Sequence, residues 1–202
     1  MNMSAPPKYL RQLVEKNRSY RKFRHGHEIS EGELLQMIDL ARLTPSSKNR
    51  QPLKYILVHD EVDTRAVFPH LRWAWYLKNW SRPTPEERPS AYIVMLLDKQ
   101  LNTGVDIEAG IAAQTILLAA AEMDLGGCII HTNNRYELSR YFQLPESLEI
   151  VLVIALGKPA QEVVVDEIEN DQSIIYYLDA DQKHHVPKRK LKDVIWKPST
   201  RQ

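Results

Sequence analysis

Asp106–Met123 reads DIEAGIAAQTILLAAAEM and runs through Asp124-Leu125-Gly126-Gly127 into Cys128-Ile129-Ile130-His131. The carboxylates of Asp106 and Glu108 suit the positive end of a helix dipole, so a long helix is expected from here to about Met123. Ile107, Ile111, Ala112, Ile116, Leu117, Leu118 and Ala119 leave it almost no polar face, which implies burial on all sides. In a chain of 202 residues, such a helix points to one side meeting a partner subunit. Gly126-Gly127 is expected to turn the chain into a strand over Cys128–His131.

On the N-terminal side, Ala91–Leu97 reads as a buried strand behind the breaks at Pro83, Pro85 and Pro89, and Tyr55–Val58 as another. Residues 61–80 suggest one or two short helices, with Trp73, Trp75, Tyr76 and Trp80 near their end. Ser30-Glu31-Gly32-Glu33 is a capping box. It opens a helix to about Leu43, expected to bury Leu34, Leu35, Ile38 and Ala41. Residues 6–16 form a short helix opening near Pro6, with Tyr9, Leu10, Leu13 and Val14 on one face. Asn17–His27 is a basic loop, and Thr44–Pro52 a polar loop bounded by prolines. On the C-terminal side, Asn134 and Glu137 start a short helix, and Leu148–Leu156 is a strand ended by Gly157-Lys158-Pro159. Ile174–Leu178 reads as a fifth, edge strand, followed by a basic tail that Pro187 interrupts. Helices and strands alternate without a repeat. The class is α/β or α+β in one domain over 1–202, with 1–7 flexible and about 180–202 an extending arm.

Composition narrows the function classes. Lys+Arg 27 against Asp+Glu 26 gives a net charge of +1. That balance hides two basic ends: residues 8–24 carry seven cations against Glu15, and residues 183–201 seven against Asp193. The single cysteine, Cys128, excludes an intrachain disulfide and a Cys-rich zinc site, and its apolar strand makes it an inert core thiol. His184-His185 has no further ligand at metal spacing in the sequence, so no metal is expected. No GxGxxG, Walker P-loop, HExxH or GxSxG motif occurs. No apolar run reaches the roughly 20 residues that span a bilayer, and Ser4-Ala5-Pro6-Pro7 leads straight into basic sequence. A protein without signal peptide or membrane partner, in the reducing cytoplasm, is the expectation. A nucleic-acid module using both basic ends is a competing reading, but no recognition motif accompanies the charge, and no nucleic-acid partner is expected.

Three separated segments converge on one family. Asn17-Arg18-Ser19-Tyr20-Arg21-Lys22-Phe23 resembles the RSxRxF opening of the nitroreductase flavoenzymes. Pro45-Ser46-Ser47-Lys48-Asn49-Arg50-Gln51-Pro52 resembles their PSSxNxQPW loop. Val186-Pro187-Lys188-Arg189-Lys190-Leu191 resembles their late Lys/Arg phosphate clamp. The order is kept across roughly 8–196. Leu53 stands where an aromatic residue often follows QP, and Asn17 replaces a frequent arginine.

The resemblance implies an α+β fold: a central, mostly antiparallel sheet flanked by helices, with a C-terminal arm exchanged across a homodimer and FMN at the interface. Arg18 and Ser19 would meet the FMN phosphate, with Lys188 and Arg189 closing over it, since Arg and Lys answer a near-dianionic phosphate by charge-assisted hydrogen bonds. Arg21 would reach the N1/O2 edge of the ring, where a cation stabilises reduced flavin. Pro45 and Ser46 would pack against the ring, with Ser47 and Gln51 in the same loop and Asn49 at its amide edge. The backbone at Ile130 and His131 would lie near N5. The implied reaction takes hydride from NADH or NADPH to a small electrophile such as a nitroaromatic or quinone. No acid–base residue is obligatory. A specialised, dehalogenase-like flavin reaction is the alternative within the family. The 68–90 segment falls where the family covers its substrate, and the sequence does not separate lid from core there.

Overall fold

Four antiparallel strands in the order β1-β2-β4-β3 form the central sheet: β1 is Leu53–Val58, β2 Ala91–Asp98, β3 Gly126–Ile130 and β4 Leu148–Gly157. The structure is a computed structural model that describes residues 8–77, 80, 82–131 and 133–196. Residues 1–7, expected to be flexible, lie outside the described residues. The chain divides into two compact units, one of residues 1–73 and 82–160, the other of 74–81 and 161–202.

In the first unit, strand alternation sends Ala91, Ile93, Met95 and Leu97 of β2 to one face with Leu152, Ile154 and Leu156 of β4. There they join the core with α2 (Glu31–Arg42) and α4 (Asp106–Glu122). Tyr92, Val94, Val153 and Ala155 point the other way and are buried as well. A strand buried on both faces reads as an unbroken apolar run, as β2 does. Two further helices, α3 (Glu61–Val67) and α5 (Arg135–Tyr141), complete this unit with the N-terminal α1 (Lys8–Lys16). The capping box forms as expected: Glu33 N donates to Ser30 Oγ, and Ser30 N to Glu33 Oε2 at 2.8 Å.

The structure corrects several expectations. Leu35 is 51% exposed, and Met37 is buried in its place. Leu34, Met37 and Ala41 follow the helical period on one face, whereas Leu35 is turned about 100° from Leu34. Gly126 and Gly127 are not a turn but the first residues of β3. Within the chain, α4 is not covered all round: Ile107 is 76% exposed, Gly110 and Gln114 are exposed, and Ile111 and Leu118 are half-buried. These residues recur at helical spacing and make one uncovered stripe. Trp73 is buried 5.9 Å from Phe68, ring centre to ring centre, whereas Trp75 is exposed.

The second unit holds a three-stranded sheet, order β5-β7-β6, from β5 (Val163–Ile168), β6 (Tyr177–Leu178) and β7 (His184–Arg189). The expected edge strand over 174–178 shrinks to β6, β5 was not anticipated, and the basic tail supplies the central strand. β7 runs parallel to β5 and antiparallel to β6. β6 reaches only His184 and His185, so beyond them one side of β7 is open. Pro187 is tolerated there, because a missing N–H costs little on an open edge. A short helix, α6 (Leu191–Val194), follows.

Candidate functional site

The arginine loop is held to the sheet at several points. Asn17 N donates to Leu13 O, closing α1, and Ser19 pairs with Gly127 at the start of β3. Tyr20 N donates to Gly127 O at 3.1 Å, and Phe23 pairs with Pro159. Phe23 is 1% exposed and lies over Gly157, where an added Cβ would sit 2.6 Å from its ring. A Cβ at Gly126 would come within 2.5 Å of the Tyr20 ring, and one at Gly127 within 2.2 Å of the carbonyl oxygen of Ala155. The glycines therefore permit a backbone approach that no side chain allows. The half-buried ion pair Lys22–Glu87, at 3.1 Å, ties down the end of the loop.

Within this frame Arg18 caps α1, its Nε donating to Asn17 O and a terminal nitrogen to Val14 O, both at 2.6 Å. That use leaves three of the five guanidinium N–H groups for other partners. Arg21 donates to Ser19 O at 3.2 Å, and its charge reaches Cys128. Burial pushes the Cys128 thiol up to about 11, against a smaller opposing pull from Arg21, so it stays a protonated core group.

The second predicted segment forms a short 3₁₀ turn over Ser47–Asn49. Lys48, Asn49 and Gln51 all have left-handed backbone, with φ of 52°, 54° and 50°. Such a conformation costs roughly 1–2 kcal/mol per residue without glycine, somewhat less for asparagine. Three of them in four positions survive only where neighbours hold them. Gln51 N donates to Ser46 Oγ at 3.0 Å, and Gln51 Nε2 to Asn49 O at 3.2 Å. Ser47 N donates to Glu108 Oε1 at 3.1 Å, from the first turn of α4. Sequence reading valued Glu108 only as a helix-start carboxylate. Its 7% exposure beneath this loop was not legible from spacing. Pro45, Ser46, Gln51, Pro52, Tyr55 and Glu108 are among the residues around a cavity of about 170 Å³. Burial raises the Tyr55 phenol to about 12, so it stays neutral.

At the far end of β3, Ile130 is buried and His131 exposed. His131 O accepts from Asn133 Nδ2 at 3.1 Å, and Arg135 lies 3.2 Å from Nε2. A guanidinium can only donate, so Nε2 is the accepting nitrogen of the ring. The arginine loop and the start and end of β3 are thus gathered on one strand. The 45–51 loop attaches to α4 at Glu108, whereas Asn17 approaches that helix at Gln114, six residues and about 9 Å further along its axis.

Lys188 and Arg189 belong to the second unit, exposed at the end of β7. Lys190 and Lys192, just beyond them, both pair with Glu169. Lys197 and Arg201 lie outside the described residues. His185 is clasped by carboxylates that the sequence pattern did not reveal: Asp166 is 2.8 Å from Nδ1 and Asp179 3.2 Å from Nε2. Tyr177 stacks on the ring at 4.9 Å. The two carboxylates occupy opposite ring nitrogens and do not converge on a point. Among the described residues no group of three or more His, Cys, Asp or Glu is placed to hold a metal ion, and no helix is long and apolar enough to cross a membrane.

Comparison with known proteins bears on the family and the fold. The model of the "Nitroreductase family" matches residues 14–158. A protein of Archaeoglobus fulgidus named "Putative NADH dehydrogenase/NAD(P)H nitroreductase" is 26% identical over 159 residues, covering 75% of this chain and 86% of its own. Among solved structures, an "FMN-dependent Nitroreductase" of Clostridium difficile is similar with a TM-score of 0.59 at 24% identity, over 79% of this chain and 91% of that one. A "putative nitroreductase in complex with FMN" from Exiguobacterium sibiricum is similar with a TM-score of 0.62 at 17% identity, over 79% and 92%. At these identities the structures establish a common fold.

Proposed function

The chain belongs to the nitroreductase family, and we propose that it is an FMN-dependent oxidoreductase that oxidises NADH or NADPH and reduces a small electrophilic acceptor such as a nitroaromatic or quinone. The observation that carries this reading is the seating of the arginine loop on β3, where Ser19 pairs with Gly127 and the Tyr20 ring lies against Gly126 at a distance that a Cβ would obstruct. The donor set fits the cofactor. Arg18, Ser19 and Arg21 offer cations and a hydroxyl to a phosphate and to the electron-rich ring edge, and Ser46, Asn49 and Gln51 offer neutral donors and acceptors suited to an amide edge. When bound, FMN supplies the hydride acceptance and delivery.

In this reading Arg18 and Ser19 hold the phosphate, joined by Lys188 and Arg189, and Arg21 stands at the N1/O2 edge. Pro45, Ser46 and Ser47 flank the ring, Asn49 and Gln51 meet its polar edge, and the backbone of Ile130 and His131 borders N5. The whole chain acts as one FMN-binding domain in a homodimer, with the C-terminal arm crossing to the partner. The uncovered stripe Ile107, Ile111 and Leu118 supports that assembly, as do Leu191, Val194, Ile195 and Trp196, all exposed in the single chain. A reducing cytoplasmic setting accords with the one, buried cysteine.

The test is titration of flavin-stripped protein with FMN, followed by quenching of flavin fluorescence. Arg21→Ala is expected to weaken uptake about tenfold or more, the worth of a charge-assisted contact. Equal affinity in Arg21→Ala and the parent would contradict the assignment.

A further inference from the structure

Glu108 is the one charged group on α4 that is almost wholly buried: it is 7% exposed, whereas Asp106 beside it is exposed. A buried carboxylate is costly unless hydrogen-bonded, so its retention calls for a partner. That partner is the backbone N–H of Ser47, at 3.1 Å. The bond joins the most strained segment of the first unit to a rigid helix. Lys48, Asn49 and Gln51 are left-handed, and the two Gln51 bonds lie within the segment itself. Bonds inside a loop fix its shape but not its place. The Ser47–Glu108 bond ties the loop to the long central helix, beside a more exposed tie from Arg50 to Asn102 Oδ1 at 3.1 Å, and it is the one whose acceptor is buried.

We propose that Glu108 is a positioning residue: from the first turn of α4 it locks the 45–51 loop in the conformation that meets the flavin ring. The inference rests on the cofactor reading above for the identity of what the loop meets. The anchor itself does not depend on it. Glu108 acts through the Ser47 amide, so an oxygen acceptor of the same shape serves in its place. Its charge is secondary.

The experiment measures amide hydrogen exchange over 46–51 in flavin-stripped protein, and FMN affinity by fluorescence, for three variants. Glu108→Ala is expected to speed loop exchange and weaken FMN by up to about tenfold, as loss of one hydrogen bond would. Glu108→Gln keeps an acceptor for Ser47 N–H and is expected to stay within about threefold of the parent in both. Ser47→Pro removes the donor instead. Ser46 is already extended (φ −131°, ψ 143°), as a residue before proline prefers, and proline fits the first position of the turn. This variant reports on the bond even if Glu108→Ala fails to fold, and combining the two is expected to add nothing to the larger single effect.

Unchanged loop exchange in Glu108→Ala would overturn the proposal. Equal damage by Glu108→Ala and Glu108→Gln would overturn it too, because charge rather than the anchor would then be at work. Exchange decides the anchor whether or not flavin binds, so a parent protein that takes up no FMN sinks the cofactor reading alone.

Discussion

Replacing Gly127 by alanine tests the junction on which the candidate site is built. A Cβ there would stand 2.2 Å from the carbonyl oxygen of Ala155 and 3.0 Å from the Cδ2 atoms of Leu117 and Leu156. The leucine ends can turn aside, but the carbonyl belongs to β4, paired in register with β3 at Cys128. Backbone must therefore move. Forcing an extra carbon into packed structure costs about 1–3 kcal/mol, and at roughly 2–4 °C per kcal/mol for a chain of this size the melting temperature should fall by about 2–12 °C. Displacement of Gly127 also disturbs the Ser19 pairing and the Tyr20 N–H bond to Gly127 O. Flavin affinity should drop with stability. Gly32→Ala is the control: Gly32 is exposed on α2, with only Ser30 Oγ near a new Cβ, at 3.9 Å. It should gain roughly 0.5–1 kcal/mol from the helix preference for alanine. Circular-dichroism melts of the flavin-stripped proteins, with FMN titrations beside them, read both effects. A Gly127→Ala protein that melts with the parent would refute the close approach to Ala155, and one that also binds FMN equally would refute the coupling of Gly127 to the seated loop.

Three further outcomes are expected. Asp166 and then Asp179, through their hydrogen bonds, raise the His185 pKa above its ordinary 6.5. That clasp stabilises the fold fully below the unfolded value and is lost as pH rises through the folded one, so melting temperature should fall from slightly acid to mildly alkaline pH more steeply in the parent than in His185→Gln; parallel pH profiles would refute the clasp. Ser30→Ala removes the α2 cap and should cost about 1 kcal/mol in denaturant unfolding, with FMN affinity unchanged; an equally stable variant would mean the cap is idle. Ile107→Asp places a charge on the uncovered stripe of α4 and should shift a dimer toward monomer in light scattering, with loss of bound flavin; a dimer that persists with its flavin would move the interface elsewhere.

The elements with long, unbroken signals were legible in the sequence. β2 and α4 are apolar because they are buried on most sides, and the Ser30–Glu33 box marked its helix start to the residue. Glycines misled because their two uses look alike. Gly126-Gly127 matched turn chemistry, whereas the pair is there to let Tyr20 and Ala155 come close. The second unit was hardest, since β5 gains its partner, β7, only by a parallel pairing of segments some twenty residues apart. Nothing local announces such a contact. For the candidate site, the motifs located the arginine loop and the 45–51 loop, but their supports came from elsewhere in the chain. Glu108 under Ser47 and the carboxylates around His185 depend on tertiary placement, which spacing along the sequence does not encode.

The central claim is that this chain carries a flavin that nicotinamide reduces. The most direct test is the visible spectrum of the purified protein, taken before and after anaerobic addition of NADH or NADPH. The account predicts an oxidised flavin band that bleaches with one of the two nucleotides and returns when a nitroaromatic or quinone is added. A folded protein that is colourless and takes up no FMN on incubation would contradict it, as would a bound flavin that neither nucleotide reduces.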